Sequence, residues 1–390
     1  MAAQMEFERD VTSHQQRKPT NCAEFPSTST EDSTLLIPFL PAELIIEILL
    51  RLSVKSLLKF SSVSKYWLAF ISSPEFIKTH LSISANNKDY THHRLLLRSK
   101  CILKDCSLRS VFSESVMEVS RLNYPTTNRR LTFWNVVGSV NGLICLSNGS
   151  KVLCLWNPST RKYKKVPDFV YNLRIRAVYG FGYDESRDDY KVVRCIYYYA
   201  SWLRLDIKIY SLKDSWRSVR YAPPHGVRLW GSGKFVNGKL HWANNIGPVR
   251  DKGWNIISID LADEKWEKVE QPCSLEEEEG VLVLAVLGNN LSVISKGDHL
   301  RAHIDVWVMK EYRVKESWIK MFTVKCPHSP ASSLFKAPLL VSNKDEILLM
   351  FGRNFWLYNL KDESIRYPKF TKFLSGLVKE IYVESLVSPV

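Results

Sequence analysis

Residues 40–81 read LPAELIIEILLRLSVKSLLKFSSVSKYWLAFISSPEFIKTHL, and the rest of the chain is read outward from them. The pattern predicts three short helices with little chain between them. Pro41 stands where a first helical residue tolerates proline, and Glu43 follows in the first turn, where the helix dipole favours negative charge. Leu44, Ile45, Ile48, Leu49 and Leu52 fall at helical spacing, and Ile46 and Leu50 widen the apolar surface. Ser53 can cap a second helix carrying Val54, Leu57, Leu58 and Phe60. Ser62 or Ser64 can cap a third, with Val63, Trp67, Leu68, Phe70 and Ile71, and Pro74 ends it. A unit of about 40 residues buries little surface by itself. This one carries more large apolar side chains than its interior can hold. The expectation is a helical module that hides its spare apolar face against a partner. The competing reading is a helix-loop-helix packed only on its own chain.

The stretch resembles the F-box. Leu40-Pro41, the LIxEIL core at Leu44 to Leu49, Arg51-Leu52, the VKSLLKF run, Val63, Lys65, Trp67 and the closing SSPEFIKTHL all match the plant form. Two positions depart: the family usually has proline where Ser53 stands and cysteine where Ser64 stands. Serine can cap a helix at either place. The resemblance implies docking onto a Skp-type adaptor and, through it, a cullin-based ubiquitin ligase. It implies an adaptor face built from Leu40, Pro41, Leu44, Ile45, Ile48, Leu49, Leu52, Val54, Leu57, Leu58 and Trp67.

The whole chain has 390 residues, enough for two or more structural units. No run of about 18 apolar residues occurs, so no membrane helix is expected. The start, MAAQMEFERD, lacks the apolar core of a secretory signal. Eight cysteines are scattered without a CxxC or a zinc-like Cys/His cluster, which fits a reducing compartment, cytoplasm or nucleus. The NxS tripeptides at Asn148 and Asn290 carry no meaning there. Net charge is −3 over residues 1–38, +2 over 39–83 and +15 beyond. The basic charges alternate with acids in segments such as RKYKKVPD and KWEKVEQP. Alternation suits solvated strand edges better than a nucleic-acid site.

Residues 1–36 are polar, carry a Ser/Thr run and lack periodicity, so a disordered tail is expected. The helical module is assigned to 37–83 and a β domain to 84–390. From about Asn86, short β-branched and aromatic runs replace helical spacing. They repeat. Apolar strands end at Asn157, Tyr210, Asp260, Trp307 and Tyr358, at intervals of 53, 50, 47 and 51 residues. An aromatic follows six residues later in the first three, at Tyr163, Trp216 and Trp266; Trp318 and Ile365 serve the others. Upstream lies a hairpin, turned by Asn-Gly in VNGLICL and VNGKLHW and degenerate in LGNNLSV. Four strands in about 50 residues is the period of a kelch-like propeller blade. Five units run from about Trp134 to Phe373. RLLLRS, ILKDC and VFSESVMEV before them and EIYVESLV after them supply a sixth, closed by the C-terminal strand. The fold class expected is mainly β with a small N-terminal all-α module: three helices followed by a kelch-like β-propeller of six blades.

This region also resembles the F-box-associated domain of plant F-box proteins, a group that includes S-locus F-box and F-box/kelch proteins. The matching segments are VNGLICLSNGSKVLCLWNPSTRKYKKVP, YGFGYDESRDDYKVV, VNGKLHW and YVESLVSP. The two resemblances follow each other in the family's order. Together they imply a substrate-recognition subunit of an SCF-type cullin-RING ligase, with the propeller binding the target. The alternative is a propeller scaffold uncoupled from any ligase.

Catalytic signals are missing. Glu276 to Glu279 is read as a solvated loop, because calcium needs ligands at alternating spacing. His92-His93 and Asp298-His299 lack a third partner. The GFGYD glycines are read as close packing near the propeller axis, and the twelve tryptophans as packing between blades. No cofactor, metal or catalytic residue is expected, and a propeller hydrolase is the least favoured class. Target binding is expected on the loops joining second and third strands, which carry Trp202, Arg204, Asn244, Asn245, Arg250, Trp254, Arg301 and Arg353. Trp and Arg are typical of binding hot spots, and the basic charge suits an acidic target.

Overall fold

Serine and proline punctuate the helices. The computed structural model describes residues 40–99, 102–114, 116–124, 134–148, 152–167, 175–198, 201–221, 223–224, 227–245, 254–272, 275, 282–296, 303–325, 340–343, 346–351, 354–371 and 377–390. Helix α1 (Ala42–Leu50) starts after Pro41. Ser53 accepts the Ser56 N–H at 3.3 Å and opens α2 (Val54–Phe60). Ser64 accepts the Trp67 N–H at 3.1 Å and opens α3 (Lys65–Ile71). Four helices form where three were expected. Pro74 does not only end α3; it is the first residue of α4 (Pro74–Ala85), capped by Ser73 through the Phe76 N–H. Ser-Pro-Glu is a stop signal and a start signal at once, since proline at a first helical position loses no hydrogen bond. Leu49, Val54, Leu57, Ile71 and Phe76 form the inner face of the module, and Leu386 from the C-terminal segment completes it.

The β region opens with β1 (His93–Ser99) and β2 (Ile102–Ser107). VFSESVMEV is not the strand expected next. Its start lies in helix α5 (Leu108–Ser113), because Ser107 caps the Ser110 N–H and Leu108, Val111 and Phe112 share one buried face. Short β3 (Val116–Met117) and β4 (Ser120–Arg121) follow, and β4 pairs with β2. Four meanders come next. They are β5–β8 (Asn135–Val140, Leu143–Asn148, Val152–Trp156, Tyr163–Val166) and β9–β12 (Ile175–Asp184, Asp189–Tyr198, Ser201–Ser211, Trp216–Ser218). Then come β13–β16 (Leu229–Val236, Lys239–Asn245, Trp254–Asp260, Trp266–Val269) and β17–β20 (Leu282–Leu287, Asn290–Lys296, His303–Met309, Trp318–Lys325). A fifth holds β21–β24 (Leu340–Asn343, Glu346–Phe351, Asn354–Asn359, Ile365–Arg366). The chain ends through β25 (Lys369–Phe370), parallel to β3, and β26 (Leu377–Val383).

Within each meander the strands pair in chain order. The repeat is legible in the turns. Asn141-Gly142 and Asn237-Gly238 both take positive φ, as a two-residue hairpin turn demands. After β7, β15 and β23, Asn157, Asp260 and Asn359 accept backbone N–H groups two and three residues on. Arg161, Glu264 and Glu363 then take the left-handed conformation. The aromatics Tyr163, Trp216 and Trp266, with Trp318 and Ile365, each begin a fourth strand.

β26 pairs antiparallel with β1 from His93↔Val383 to Arg98↔Leu377. It begins earlier than the expected EIYVESLV strand and stops before Glu384. The sheet order β26-β1-β2-β4 puts it where β5 stands in its own meander. Apolar clusters join each sheet to the next. Ile144 and Trp156 pack with Leu96 and Tyr382; Cys145 and Leu155 with Phe181 and Val192; Val193 and Ile209 with Trp242 and Ile257. Ile256 and Val269 pack with Leu284 and Val293; Ile294 and Val306 with Leu349 and Tyr358; Leu348 and Leu357 with Leu95 and Leu97. The last cluster returns to the first sheet. Neighbouring residues such as Val192 and Val193 serve opposite faces, which explains why these strands read as continuous apolar runs. The arrangement is propeller-like. The GFGYD glycines lie where the second and third meanders meet closely: a Cβ on Gly180 would meet the Trp242 ring at 2.6 Å. Gly180 there pairs with Gly233 as the single parallel bridge between β9 and β13.

Candidate functional site

The helical module turns two apolar faces in different directions. Leu40, Leu44 and Ile48 recur every four residues along α1 and its entry, and they stand 46%, 47% and 52% exposed. Leu58 and Phe60 on α2 and Val63, Tyr66 and Leu68 around α3 are exposed as well. The Arg51–Glu47 ion pair, 2.5 Å long, lies on the solvent side at the end of α1. Pro41 is exposed, while Ile45, Leu52 and Trp67 are half-buried. Of the residues expected on the adaptor face or directly supporting it, Leu49, Val54 and Leu57 are buried and lie beneath the exposed ones. The reason is period: Leu49 and Leu57 each sit one residue from an exposed neighbour, about 100° around the helix. Phe60, Val63, Tyr66 and Leu68 extend the exposed face beyond the residues expected there. Val63 carried a readable signal, as an apolar residue between Ser62 and Ser64 in a turn.

This module is held to the β region. His80 on α4 is buried, and its Nε2 donates to the Leu52 carbonyl at 2.9 Å. Burial lowers its pKa, and the same cause, with the His80 charge beside it, lowers that of His92. The C-terminal segment runs between the two parts. Its Glu384 N–H donates to the His92 carbonyl at 2.8 Å. Asn157 Nδ2 donates to the carbonyls of Ser385 and Val387, at 3.0 and 2.7 Å. Ser385 Oγ donates to the Asn141 carbonyl at 2.8 Å. Segments VNG, WNP and ESLV, far apart in sequence, thus meet at one place.

The expected target residues fall differently. Trp202 and Arg204 lie on β11, where Tyr197 pairs with Leu205 and Tyr198 with Ser201, so the three residues between form a bulge. Asn245 and Trp254 face each other across β14 and β15. Asn244 is buried and not presented: it accepts the Arg228 N–H at 2.5 Å and donates to Asn255 Oδ1 at 3.0 Å. Strand alternation explains this, since it turns Asn244 to the covered side of β14. Arg250, Arg301 and Arg353 lie outside the described residues, as do the 1–36 tail and Glu276 to Glu279. Arg176, Arg228 and Trp230, at the same end of β9 and β13, were not among the expected residues.

Among the described residues no three His, Cys, Asp or Glu side chains are grouped to hold a metal, and no helix is long and apolar enough to cross a membrane. Cys106, Cys145, Cys154 and Cys195 are free and buried. Burial pushes the Cys106 and Cys154 thiols up to about 12, so they are poor nucleophiles.

Comparison with known proteins places these features. Residues 37–79 match the F-box domain family, and residues 94–389 match the F-box associated beta propeller domain family. An F-box/kelch-repeat protein of Arabidopsis thaliana is 32% identical, with 90% of this chain and 96% of the relative covered. The F-box protein CPR1 of the same plant is 31% identical over 89% of this chain and 88% of its own. Both families comprise non-catalytic adaptor proteins, and an F-box implies binding to a Skp1-type adaptor.

Proposed function

We propose that this chain, which belongs to the F-box proteins with an F-box-associated β-propeller domain, is the target-recognition subunit of an SCF-type cullin-RING ubiquitin ligase. The observation that carries this is the exposed stripe Leu40, Leu44 and Ile48, continued by Leu58, Val63 and Leu68. A monomer gains nothing by holding so many large apolar groups in water on one small module. The opposite face of α1 is committed to Leu49 and the module interior, so the stripe is left for a Skp-type adaptor. Leu40, Pro41, Leu44, Ile48 and Leu58 touch the adaptor in this reading. Ile45, Leu52 and Trp67 flank them, and Leu49, Val54 and Leu57 hold the helices in place beneath.

The remainder is a six-bladed ring that holds the target. Six shared apolar clusters, the last returning to β1, support that count. The loops between second and third strands form the target face, supported by the β11 bulge carrying Trp202 and Arg204. The adaptor test is direct. Burying one such Leu or Ile contributes roughly 1.5–3 kcal/mol. Leu44→Asp/Ile48→Asp should abolish co-purification with a Skp-type adaptor while the melting temperature stays near wild type, since both side chains are already exposed. Undiminished adaptor recovery would leave the chain as an uncoupled propeller scaffold.

A further inference from the structure

Several arginines described in the β region are paired with acids. Arg94 contacts Asp105 at 2.9 Å, Arg217 is bidentate on Glu264, and Arg366 contacts Glu346 at 3.3 Å. Arg176 and Arg228 are placed differently. The Arg176 guanidinium carbon lies over the Trp230 ring, 4.0 Å from its centroid. Neither Arg176 nor Arg228 has a carboxylate partner among the described residues.

The sheet brings them together. β9 and β13 run parallel through Gly180 and Gly233, and Arg176 and Leu229 each lie four residues before the bridge. Across the sheet Arg176 pairs with Tyr197, and Leu229 with Asn244. Asn244 holds the Arg228 N–H, and the Tyr197 hydroxyl accepts the Leu229 N–H at 2.7 Å. The strand carrying Arg228 and Trp230 is thereby pinned on both sides. Burial pushes the Tyr197 hydroxyl up to about 12, while the Leu229 hydrogen bond and the charges of Arg176 and Arg228 pull the other way. Both guanidinium groups are therefore felt at one point.

An aromatic ring under a guanidinium holds the cation in place, and the N–H donors at the guanidinium edge suit a planar anion. Trp230 is 53% exposed, a large apolar surface beside two cations. The end of the sheet that carries them also carries the β11 bulge with Trp202 and Arg204 and the Asn245–Trp254 pair. We propose that Arg176, Arg228 and Trp230 form an anion-reading corner that holds an acidic, carboxylate-bearing segment of the target protein. The proposal rests on the reading of this face as the target face. The chain's net charge of +14 adds a long-range pull on the same partner.

The test uses the full chain bound to its Skp-type adaptor. Random peptides displayed on phage are selected on wild-type complex and on an Arg176→Glu/Arg228→Glu variant. A synthetic peptide of the enriched composition is then titrated at rising salt. Peptides rich in Asp and Glu should be enriched on wild type only. The synthetic peptide should lose about tenfold or more in affinity on the variant, and on wild type should weaken with salt. Enrichment of neutral or basic peptides, no enrichment, or equal affinity for the variant would overturn the proposal. A phosphoserine version that binds when the carboxylate peptide does not would assign the corner to phosphate and also overturn it. Arg228→Glu alone, at an exposed position, and Trp230→Ala repeat the measurement if the double variant melts early. Adaptor recovery is read in every preparation. Normal recovery without acidic enrichment sinks this corner alone, whereas adaptor loss in the wild type sinks the ligase reading.

Discussion

His241 shows how one residue couples this fold to pH. It is fully buried, with Nδ1 3.1 Å from the Lys234 carbonyl and Nε2 2.7 Å from the Tyr312 hydroxyl. A carbonyl can only accept, so Nδ1 carries the proton and Nε2 accepts from Tyr312. Burial lowers the His241 pKa from 6.5 to about 4 despite the hydrogen bond that opposes it. His93 is likewise lowered to about 4, by burial and then by the charge of His92. The unfolded chain therefore takes up protons as pH falls below 6.5, while the folded chain resists until about 4. Stability that is complete above 6.5 is lost across that window. Denaturant unfolding at pH 7 and pH 5 should show the loss. His241→Phe should flatten part of the slope yet lower stability at pH 7 by about 1–3 kcal/mol, because the buried hydrogen bonds of the ring to the Lys234 carbonyl and the Tyr312 hydroxyl are lost. A wild-type stability equal at both pH values would contradict this account.

At the scale of single elements, the two Asn-Gly turns make a matched pair. Gly142 has φ 81 and Gly238 has φ 73, so alanine strains both backbones similarly. Their surroundings differ. A Cβ on Gly142 would meet the Val383 carbonyl at 2.6 Å and collide with Ser385 Oγ, whereas a Cβ on Gly238 meets nothing within 4 Å. Gly238→Ala should cost about 1 kcal/mol from the left-handed conformation alone. Gly142→Ala should cost clearly more, because the C-terminal segment must move. Unfolding free energies measured in parallel isolate that contact, and equal losses would mean that the segment yields without penalty. Sequence treats the two turns as equivalent, since VNG is spelled identically in both.

The C-terminal segment matters most at the scale of the whole molecule. Leu386 enters the interior of the helical module, Ser385 is buried under the Asn141 turn, and Asn157 holds the backbone between them. The segment is a strap between the part proposed to hold the adaptor and the part proposed to hold the target. Deleting Glu384 to Val390 should lower the melting temperature and speed proteolysis between α4 and β1, with the β26–β1 ladder retained. Removing Leu386 alone, as Leu386→Ala, should cost about 2–5 kcal/mol if the module cannot collapse around the gap. A truncated chain with wild-type melting and proteolysis would show that the strap bears no load.

Much of this architecture was readable in one dimension because its causes are local. Serine caps, Asn-Gly turns and the aromatic that begins each fourth strand depend on residues a few positions apart. The period of about 50 residues follows from repeating them. The exposed stripe was legible as an excess of apolar side chains, but not its membership, since Leu49 and Ile48 differ only in where neighbouring helices happen to lie. Val111 and Phe112 read as strand residues until packing against β22 and β23 gave their helix a core to face. The burial of Asn244, the strap threaded through Asn157, and the meeting of Arg176 with Trp230 join residues tens to hundreds of positions apart. Such contacts depend on how the sheets pack and on sheet register, which only the tertiary structure decides. Local chemistry therefore set the elements and the family, while long-range packing decided which side chains were left facing solvent.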